Sequence, residues 1–293
     1  MPPLPWPGLM LALAGSIAFS GKAIIVKFAY RYGVDPLTLI MYRMLFALPL
    51  FLALSWWAGR GKTPLAPRER AMVLALGFCG YYLASLLDFI GLQYLTAGLE
   101  RLILYLTPTI VLLLGALLFK RHITWRQGVA LAVGYAGALI VFGHELHLVG
   151  GQVAFGAALV FASTVSYALY LIYSGEVVQR VGSLRLTGLA TSVACGLCIG
   201  HWLLAQPFAS AQVAPAVLWL SVLNATVCTF APVLMVMMAI ERIGAALTAQ
   251  VGMIGPLSTI AMGVLLLGEP FTPWLVAGTA CVLIGVWLLA KWR

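Results

Sequence analysis

The sequence predicts an all-α protein that crosses a membrane about ten times. Of its 293 residues, 63% are hydrophobic and only 9% are charged, whereas a soluble domain carries about 25% charged residues. The mean hydropathy is +1.04. The apolar runs are about 20 residues long, which is the length that crosses a bilayer core as a helix. A transmembrane β-barrel would instead show alternating segments of about 10 residues. The predicted fold class is therefore a polytopic α-helical membrane protein.

Hydrophobic runs between charged or turn-forming residues give the elements in order. They predict spans near residues 8–28, 36–57, 71–91, 97–119, 125–142, 152–173, 185–204, 216–238, 245–267 and 274–290. The stretch before the first run holds no Lys or Arg, and the run continues to Phe28. We therefore interpret it as a first span and not as a cleaved signal.

The basic residues lie mostly on one side of these spans. Only Lys27 and Arg31 fall in loops of the opposite side. The majority side holds Arg60, Lys62, Arg68, Arg70, Lys120, Arg121, Arg126, Arg180, Arg185, Arg242, Lys291 and Arg293. The positive-inside rule then predicts a multi-pass protein of the bacterial inner membrane with both termini cytoplasmic. This distribution explains the excess of basic residues without a nucleic-acid partner.

The cysteine and histidine pattern predicts neither a disulfide framework nor a metal site. Cys195 and Cys198 have CxxC spacing but no second pair, so we interpret them as small core residues. His144 and His147 flank Glu145 in a predicted loop, and we interpret this set as a solvated loop and not as a weak metal site. We expect no cofactor.

The chain repeats itself at an offset of 148 residues. This offset aligns Gly8 with Gly156, Gly98 with Ala246, Pro108 with Pro256 and Gly115 with Gly263. The predicted units are residues 1–148 and 149–293, with five spans each. Because five is odd, the second unit enters the membrane from the other side, and such inverted repeats are typical of carriers that work by alternating access.

Two stretches resemble the EamA repeats of the drug/metabolite transporter superfamily. The C-terminal stretch, residues 244–290, contains Ala245-Ala246-Leu247, Gly255-Pro256, Gly263, Leu267-Gly268-Glu269-Pro270, Gly278 and Gly285; the N-terminal stretch, residues 91–142, contains Gln93-Tyr94, Thr107-Pro108, Gly115, Gln127-Gly128 and Gly134. One departure is Lys120-Arg121, which stands where the second repeat has Gly268-Glu269. The resemblance implies a transporter and no enzyme. Within the superfamily, the chain looks most similar to aromatic amino acid exporters of the YddG type, which implies efflux of Phe, Tyr, Trp and other neutral amino acids.

Five charged residues fall inside or at the edge of predicted spans. They are Lys22, Arg43, Asp88, Glu100 and Arg101, all in the outer half of the membrane by the predicted topology. A charge at the centre of a membrane helix costs about 2.5–3.5 kcal/mol on insertion scales, so each is a candidate functional residue. The alternative is that these charges snorkel to the headgroups or lock helices together as ion pairs. Arg43 has a further alternative as a feature of the fold.

Helical spacing predicts three polar and aromatic stripes near these charges. They are Tyr81, Ser85 and Asp88; Arg101, Tyr105 and Pro108; and Ser163, Ser166, Tyr167 and Tyr170. Pro108 and Pro256 each free a backbone carbonyl and predict bends beside a cavity. Spans 5 and 10 are expected to pack closely and to form the scaffold, with a dimer face as the alternative, because they carry small residues at Gly128, Gly134, Gly137, Gly278 and Gly285.

Together these residues suggest how an amino acid zwitterion would bind. Its side chain would contact Tyr82, Tyr105, Tyr167 and Tyr170, with Tyr81, Ser85 and Ser163 also lining the site. Its carboxylate would face Lys22 or Arg101, and its ammonium Asp88 or Glu100. Arg43, Asp88, Glu100 and Arg101 are the candidate gating or coupling residues. The alternatives are another metabolite or a cationic drug as cargo, a channel, or an intramembrane enzyme, whose catalytic motifs the sequence lacks. The expected partners are the small-molecule substrate and the bilayer, with the protein a monomer or weak homodimer.

Overall fold

In the computed structural model, the described residues 6–120, 122–149, 151–252 and 254–291 form helices joined by short connections. The α-helices are α1 (Trp6–Tyr30), α2 (Pro36–Gly59), α3 (Pro67–Gly77), α4 (Ala84–Leu92), α5 (Ala97–Leu104), α6 (Thr107–Phe119), α7 (Trp125–Val149), α8 (Gln152–Val181), α9 (Ser183–Ala205), α10 (Pro215–Ala225), α11 (Ala231–Gly252), α12 (Ile254–Met262) and α13 (Pro273–Lys291). Three π-helical turns are π1 (Phe78–Leu83), π2 (Thr226–Phe230) and π3 (Gly263–Leu267), and Phe208–Ala211 is a 3-10 turn.

The lengths of these helices fit a membrane protein. Within the described ranges, nine helical segments are long and apolar enough to cross a bilayer, and Ile254–Leu267 is a shorter apolar segment. The nine correspond to the predicted spans 1–8 and 10, and the shorter one lies within the predicted ninth span. The prediction of a polytopic helical membrane protein is therefore confirmed at the level of nine to ten apolar helices.

The predicted loop between spans 8 and 9 is wrong. Helix α11 continues without interruption from Ala231 to Gly252, and Arg242 donates from Nη1 to the carbonyl of Met238 one turn earlier. The physical reason is the absence of a strong helix breaker here, because Gly244 alone costs only about 1 kcal/mol relative to Ala. The first part of the predicted ninth span is thus continuous with the eighth.

The most extensive helix contacts join the two halves of the chain. Helix α7 packs along α13, α2 along α9, α1 along α11 and α4 along α8. Each of these pairs takes one helix from the first half and one from the second. The buried side chains between the helices consequently form an interior to which both halves contribute.

Glycines let α7 and α13 approach closely, as the sequence predicts. A Cβ on Gly285 would lie 2.7 Å from the backbone nitrogen of Gly134, and one on Gly137 would lie 2.7 Å from Cβ of Cys281. Gly128 differs, because a Cβ there would meet no atom within 4 Å. The close approach of the two helices is therefore shown around Gly134 and Gly137, in the middle of α7.

Irregular helix geometry recurs at the repeat offset. The π1 turn begins at residue 78 and the π2 turn at residue 226, which are 148 residues apart. The helix-ending residues Lys120 and Gly268 are also 148 residues apart, and both have left-handed backbones, with φ of 52° and 73°. Lys120 is the only non-glycine residue with positive φ in the described part of the chain. The backbone pattern is thus kept even where the residue type changes.

Candidate functional site

An ionic cluster lies inside the helix bundle where α1, α4 and α5 meet. The Nζ of Lys22 lies 2.5 Å from Oδ2 of Asp88 and 3.4 Å from Oε1 of Glu100. Lys22 is 8% exposed, Asp88 2% and Glu100 0%. Lys22 precedes the end of α1 by eight residues, or about 12 Å of helix. The structure therefore brings together three of the five charged residues that the sequence singles out, at membrane depth.

Arg101 joins this cluster to helix α12. Its Nε lies 4.0 Å from Oε2 of Glu100 and donates to Oγ1 of Thr259 at 3.1 Å, while Nη2 donates to the carbonyl of Phe19. The hydroxyl of Ser20 donates to the carbonyl of Gly255 at 2.8 Å on the same helix. The first and second halves of the chain thus share a polar contact around Arg101.

Arg43 completes the set of buried charges from the side of α2. Its Nε donates to Oγ1 of Thr229 in π2 at 3.2 Å, and its guanidinium carbon lies 5.2 Å from the ring centroid of Phe89. Asp88 is near enough to interact with it electrostatically. All five charged candidates consequently belong to one buried region, which we call the ionic cluster: Lys22, Arg43, Asp88, Glu100 and Arg101.

Several buried polar side-chain atoms, some of them in the ionic cluster, have no hydrogen-bond partner among the described residues. They include Nη1 of Arg43, Oδ1 of Asp88, both carboxylate oxygens of Glu100, the hydroxyls of Thr191 and Ser221, and both side-chain amide atoms of Asn224. A buried polar group without a partner costs about 1–3 kcal/mol. The interior therefore has unused hydrogen-bonding capacity for polar groups from outside the chain.

Tyr81, Tyr167 and Tyr170 form a second group, which we call the tyrosine cluster. The ring centroids of Tyr81 and Tyr170 are 5.1 Å apart, and those of Tyr167 and Tyr170 are 5.6 Å apart. The hydroxyl of Tyr82 lies 2.9 Å from Nδ1 of His201. Tyr170 is buried, whereas Tyr167 is 37% exposed. Aromatic surface is thus available from Tyr167, while Tyr81 and Tyr170 cover each other.

Two residues of the predicted stripe of Tyr81, Ser85 and Asp88 contact different neighbouring helices. Tyr81 contacts Tyr170 of α8, whereas Asp88 contacts Lys22 of α1. Tyr81 lies within the π1 turn, which adds a residue to the helical turn and shifts every later side chain around the axis. Ser85 is half-buried in α4. This span therefore contributes to the ionic cluster through its contact with α1 and to the tyrosine cluster through its contact with α8.

The serines of α8 bind the backbone of the neighbouring span. Ser163 Oγ donates to the carbonyl of Ala84 at 2.7 Å, and Ser166 Oγ donates to the carbonyl of Cys79 at 2.7 Å. These carbonyls lie within and just after the π1 turn, where the regular α-helical hydrogen bonding is interrupted. In this conformation both hydroxyls hold α8 against that irregular segment.

The two prolines lie beside satisfied carbonyls. The helix of the fourth span is interrupted between Leu104 and Thr107, just before Pro108, and the hydroxyl of Thr107 donates to the carbonyl of Leu104 at 2.5 Å. In the other half, Pro256 has no N–H to donate to the carbonyl of Gly252. The hydroxyl of Tyr105 donates to that carbonyl instead. Tyr105 therefore connects the discontinuous fourth span to the segment around Pro256.

Two carboxylates hold the N-terminus of α5, in an arrangement that we call the carboxylate clamp. Glu269 accepts hydrogen bonds from the backbone nitrogens of Ala97, at 2.7 Å, and Gly98, at 3.4 Å. Glu145 accepts from the hydroxyl and the backbone nitrogen of Thr96. Both carboxylates are favourable here because negative charge stabilises a helix N-terminus. Through these contacts the clamp joins the start of α5 to the end of α7 and to the segment after π3.

The clamp corrects the expectation of a solvated loop around Glu145. Helix α7 continues to Val149, so His144 and Glu145 are helical, and Glu145 is only 7% exposed. The side chain of His147 lies outside the described residues. Residues 144–147 continue the helix because Glu, Leu and His all tolerate helical backbone and no proline intervenes. In the described part of the chain, no group of three His, Cys, Asp or Glu side chains could hold a metal ion.

Sequence reasoning missed Glu145 as a buried residue and also Thr229, Ser221 and Asn224. A signal was present for Asn224, because it interrupts an otherwise apolar run between residues 215 and 225. The cysteines behave as expected, since Cys195 and Cys198 are buried and free.

Comparison with known proteins gives consistent matches over the whole chain. The model of the EamA-like transporter family matches twice, over residues 6–143 and 154–291. The uncharacterized transporter YcbK of Bacillus subtilis is 32% identical, covering 89% of this chain and 86% of that protein. An S-adenosylmethionine/S-adenosylhomocysteine transporter of Chlamydia muridarum is 24% identical, covering 76% and 73%. A crystal structure at 17% identity covers 96% of this chain and 95% of its own, with a TM-score of 0.63.

The crystal structure shows a shared fold, and the family model accounts for almost every residue of both halves. The relatives with high coverage are transporters. The chain therefore belongs to the EamA-like transporter family and is a membrane transporter.

Proposed function

We propose that the protein exports aromatic and other neutral amino acids across the bacterial inner membrane by alternating access. The observation that carries this proposal is the ionic cluster, which places charges of both signs in the bundle at membrane depth. Buried ionisable residues in membrane spans mark substrate or ion pathways. A zwitterion needs both a cation and an anion from the protein, and this cluster offers both.

The side chain of the amino acid needs apolar area with a few polar atoms. Tyr82 and Tyr167 retain accessible ring surface, and Tyr105 lies at the break of the fourth span. Aromatic rings with hydroxyls suit ligands that combine a ring with a polar end. The ammonium group would bind to the oxygens of Asp88 and Glu100, three of which lack a hydrogen-bond partner among the described residues.

Two inverted halves are typical of carriers that work by alternating access, and we propose that this chain has them, with both termini cytoplasmic. The recurrence of π turns and left-handed helix ends at 148 residues supports two equivalent halves. In this topology the carboxylate clamp lies on the outer side, where it ties α5 to the ends of α7 and the segment after π3. The inner part of the fourth span, α6, packs mainly against α8. We propose that the clamp holds this end of the bundle closed to the outside in this state.

A second candidate cargo is S-adenosylmethionine or a similar adenosyl amino acid. The relative from Chlamydia muridarum carries this name, and its substrate also contains an α-amino acid group. The ionic cluster would bind that group in the same way, with the tyrosines against the purine ring. The assay must therefore include this compound beside the neutral amino acids.

Transport by the full chain reconstituted in liposomes tests the proposal. Vesicles loaded with unlabelled Phe, Tyr, Trp, Leu or S-adenosylmethionine are diluted into the same labelled compound, and counterflow is measured. We expect saturable counterflow for aromatic amino acids, reduced about tenfold or more in Lys22→Met, as removal of one partner of a buried ion pair costs 3–5 kcal/mol. Glu69→Gln, which alters an exposed helix cap at Ala66, is the control and should keep full activity. Counterflow of no amino acid would refute the proposal, and uptake without saturation would favour a channel.

Proton coupling is a separate part of the proposal. Asp88 and Glu100 are the candidate proton carriers, so uptake is compared with and without a pH gradient in Asp88→Asn and Glu100→Gln. A pH-gradient effect that persists unchanged in both variants would eliminate this role. Light scattering of the purified protein would distinguish the proposed monomer from a weak homodimer.

A further inference from the structure

Three buried polar side chains, Ser221, Asn224 and Thr229, lie on α10 and π2, which pack against the helix that carries Arg43. Ser221 and Asn224 are three residues apart on α10 and therefore share one face of that helix. Ser221 is fully buried and Asn224 is 1% exposed. The hydroxyl of Thr229 links the two sides, because it accepts from Nε of Arg43 and donates to the carbonyl of Asn224 at 2.8 Å.

The charges of the ionic cluster do not balance. Lys22, Arg43 and Arg101 are cationic, whereas only Asp88 and Glu100 are anionic, and all five are at most 8% exposed. A buried charge requires a compensating partner in a low-dielectric interior. One further negative charge would therefore make this region neutral.

The three cations differ in their capacity to bind that charge. Lys22 already contacts both carboxylates, and Arg101 donates to Thr259 and Phe19. Arg43 instead keeps a buried Nη1 that has no hydrogen-bond partner in the described ranges. Arg43 is thus the cation with an unused buried donor.

The neighbouring side chains offer further unused donors. The hydroxyl of Ser221 and the side-chain nitrogen of Asn224 also lack partners among the described residues. A carboxylate has two oxygens with about four acceptor positions, which matches a guanidinium donor, an amide donor and a hydroxyl. Guanidinium groups suit carboxylates because of their planar, multiple donors.

We propose that Arg43, Ser221 and Asn224 form a carboxylate-binding subsite, which holds the acidic end of the transported molecule. This inference rests on the proposed amino acid transport and deepens it by separating the two ends of the zwitterion. The carboxylate is held by α2 and α10, and the ammonium by Asp88 and Glu100. The carboxylate of the bound substrate would then lie beside the excess cation and satisfy the unused donors, while its ammonium adds the opposite charge beside Asp88 and Glu100.

The test uses two pairs of probes that differ only in the acidic group. The purified full chain is titrated with 3-phenylpropionate and 3-phenylpropanol, and with hexanoate and hexanol, by calorimetry. We expect a carboxylate preference of about tenfold in at least one pair, which corresponds to about 1.4 kcal/mol. Asn224→Leu and Ser221→Ala should each reduce this preference to less than about threefold, the change being about 0.7 kcal/mol or more. Ser192→Ala is the matched control, since its hydroxyl donates to its own helix at Gly188 and should not affect the preference.

Two results would overturn the subsite. One is the absence of a carboxylate preference in both probe pairs. The other is a carboxylate preference that remains intact in Asn224→Leu. In that case water alone satisfies these polar groups, and the thermal stability of the variant should rise. Two variants, Ser221→Ala and Asn224→Leu, are tested. If one of them fails to fold, the other still decides the outcome. Carboxylate binding without amino acid counterflow would refute the proposed function alone, whereas counterflow with an unchanged preference would refute the subsite alone.

Discussion

Weakening the carboxylate clamp should open the end of the bundle that it closes. The perturbation is Glu269→Gln, which keeps the length of the side chain and one acceptor oxygen but removes the charge. Glu269 accepts from the backbone nitrogens of Ala97 and Gly98, and Glu145 holds the preceding residue, Thr96. The substitution therefore weakens one of the two carboxylate contacts and leaves the other in place.

The expected magnitude follows from these contacts. Hydrogen bonds to charged groups contribute about 1.5–3 kcal/mol, compared with about 0.5–1.5 kcal/mol for neutral ones. Loss of a charge at a helix N-terminus removes a further 0.3–1 kcal/mol or so at typical exposure. We take the net destabilisation of the clamped state as about 1.4 kcal/mol, which corresponds to about a tenfold change in the population of the opened state.

Chemical labelling of Val141 measures that population. Val141 is 2% exposed and lines the small cavity beneath the clamp together with Glu145 and Glu269. Val141→Cys, in a chain whose five native cysteines are replaced, is treated with a membrane-impermeant thiol reagent. We expect labelling about ten times faster when Glu269→Gln is also present. The control is Glu69→Gln, which alters an exposed carboxylate cap elsewhere. Equal labelling rates with and without Glu269→Gln would refute the clamp as a closing contact.

Three further predictions concern stability and can be checked by thermal or denaturant unfolding in detergent. Tyr105→Phe should lower stability by about 1–3 kcal/mol, because the carbonyl of Gly252 then loses its donor; unchanged stability would contradict this role. Lys120→Gly should raise stability by about 0.5–1 kcal/mol, because its backbone is left-handed, and a loss would show that its side chain matters more than its φ. Lys22→Met should destabilise by about 3–5 kcal/mol, and adding Asp88→Asn should recover part of that loss if the two charges are coupled; strictly additive effects would argue against coupling.

The helices and the buried charges could be predicted from the sequence because both signals are local. An apolar run of about 20 residues predicts a span whatever its neighbours are. A charge inside such a run needs a partner, and Lys22 has two, Asp88 and Glu100, as the opposite signs indicate. The resemblance of both halves to EamA repeats predicts the family for the same reason, since its motifs are short and contiguous.

Contacts that depend on helix phase or on distant chain ends could not be predicted. A π turn has no clear sequence signature, so a regular helical period does not give the orientation of Asp88 relative to Tyr81, which lies within the π1 turn. The carboxylate clamp brings Glu145 and Glu269 to Thr96 from two distant parts of the chain. Asn224 is neutral, and a search for charges in apolar runs passes over it.

The π1 turn also makes the length of this segment a determinant of the ionic cluster. A regular α-helix turns by about 100° per residue, and the turn Phe78–Leu83 absorbs one extra residue of the span. If this turn became regular helix without losing a residue, the rest of the span would rotate by about that angle, and Asp88 would point away from Lys22 although neither side chain had changed. The π1 turn thus acts as a phase setting for the polar interior, and we expect deletion of one residue within it to be tolerated better than deletion of one residue between Ala84 and Asp88.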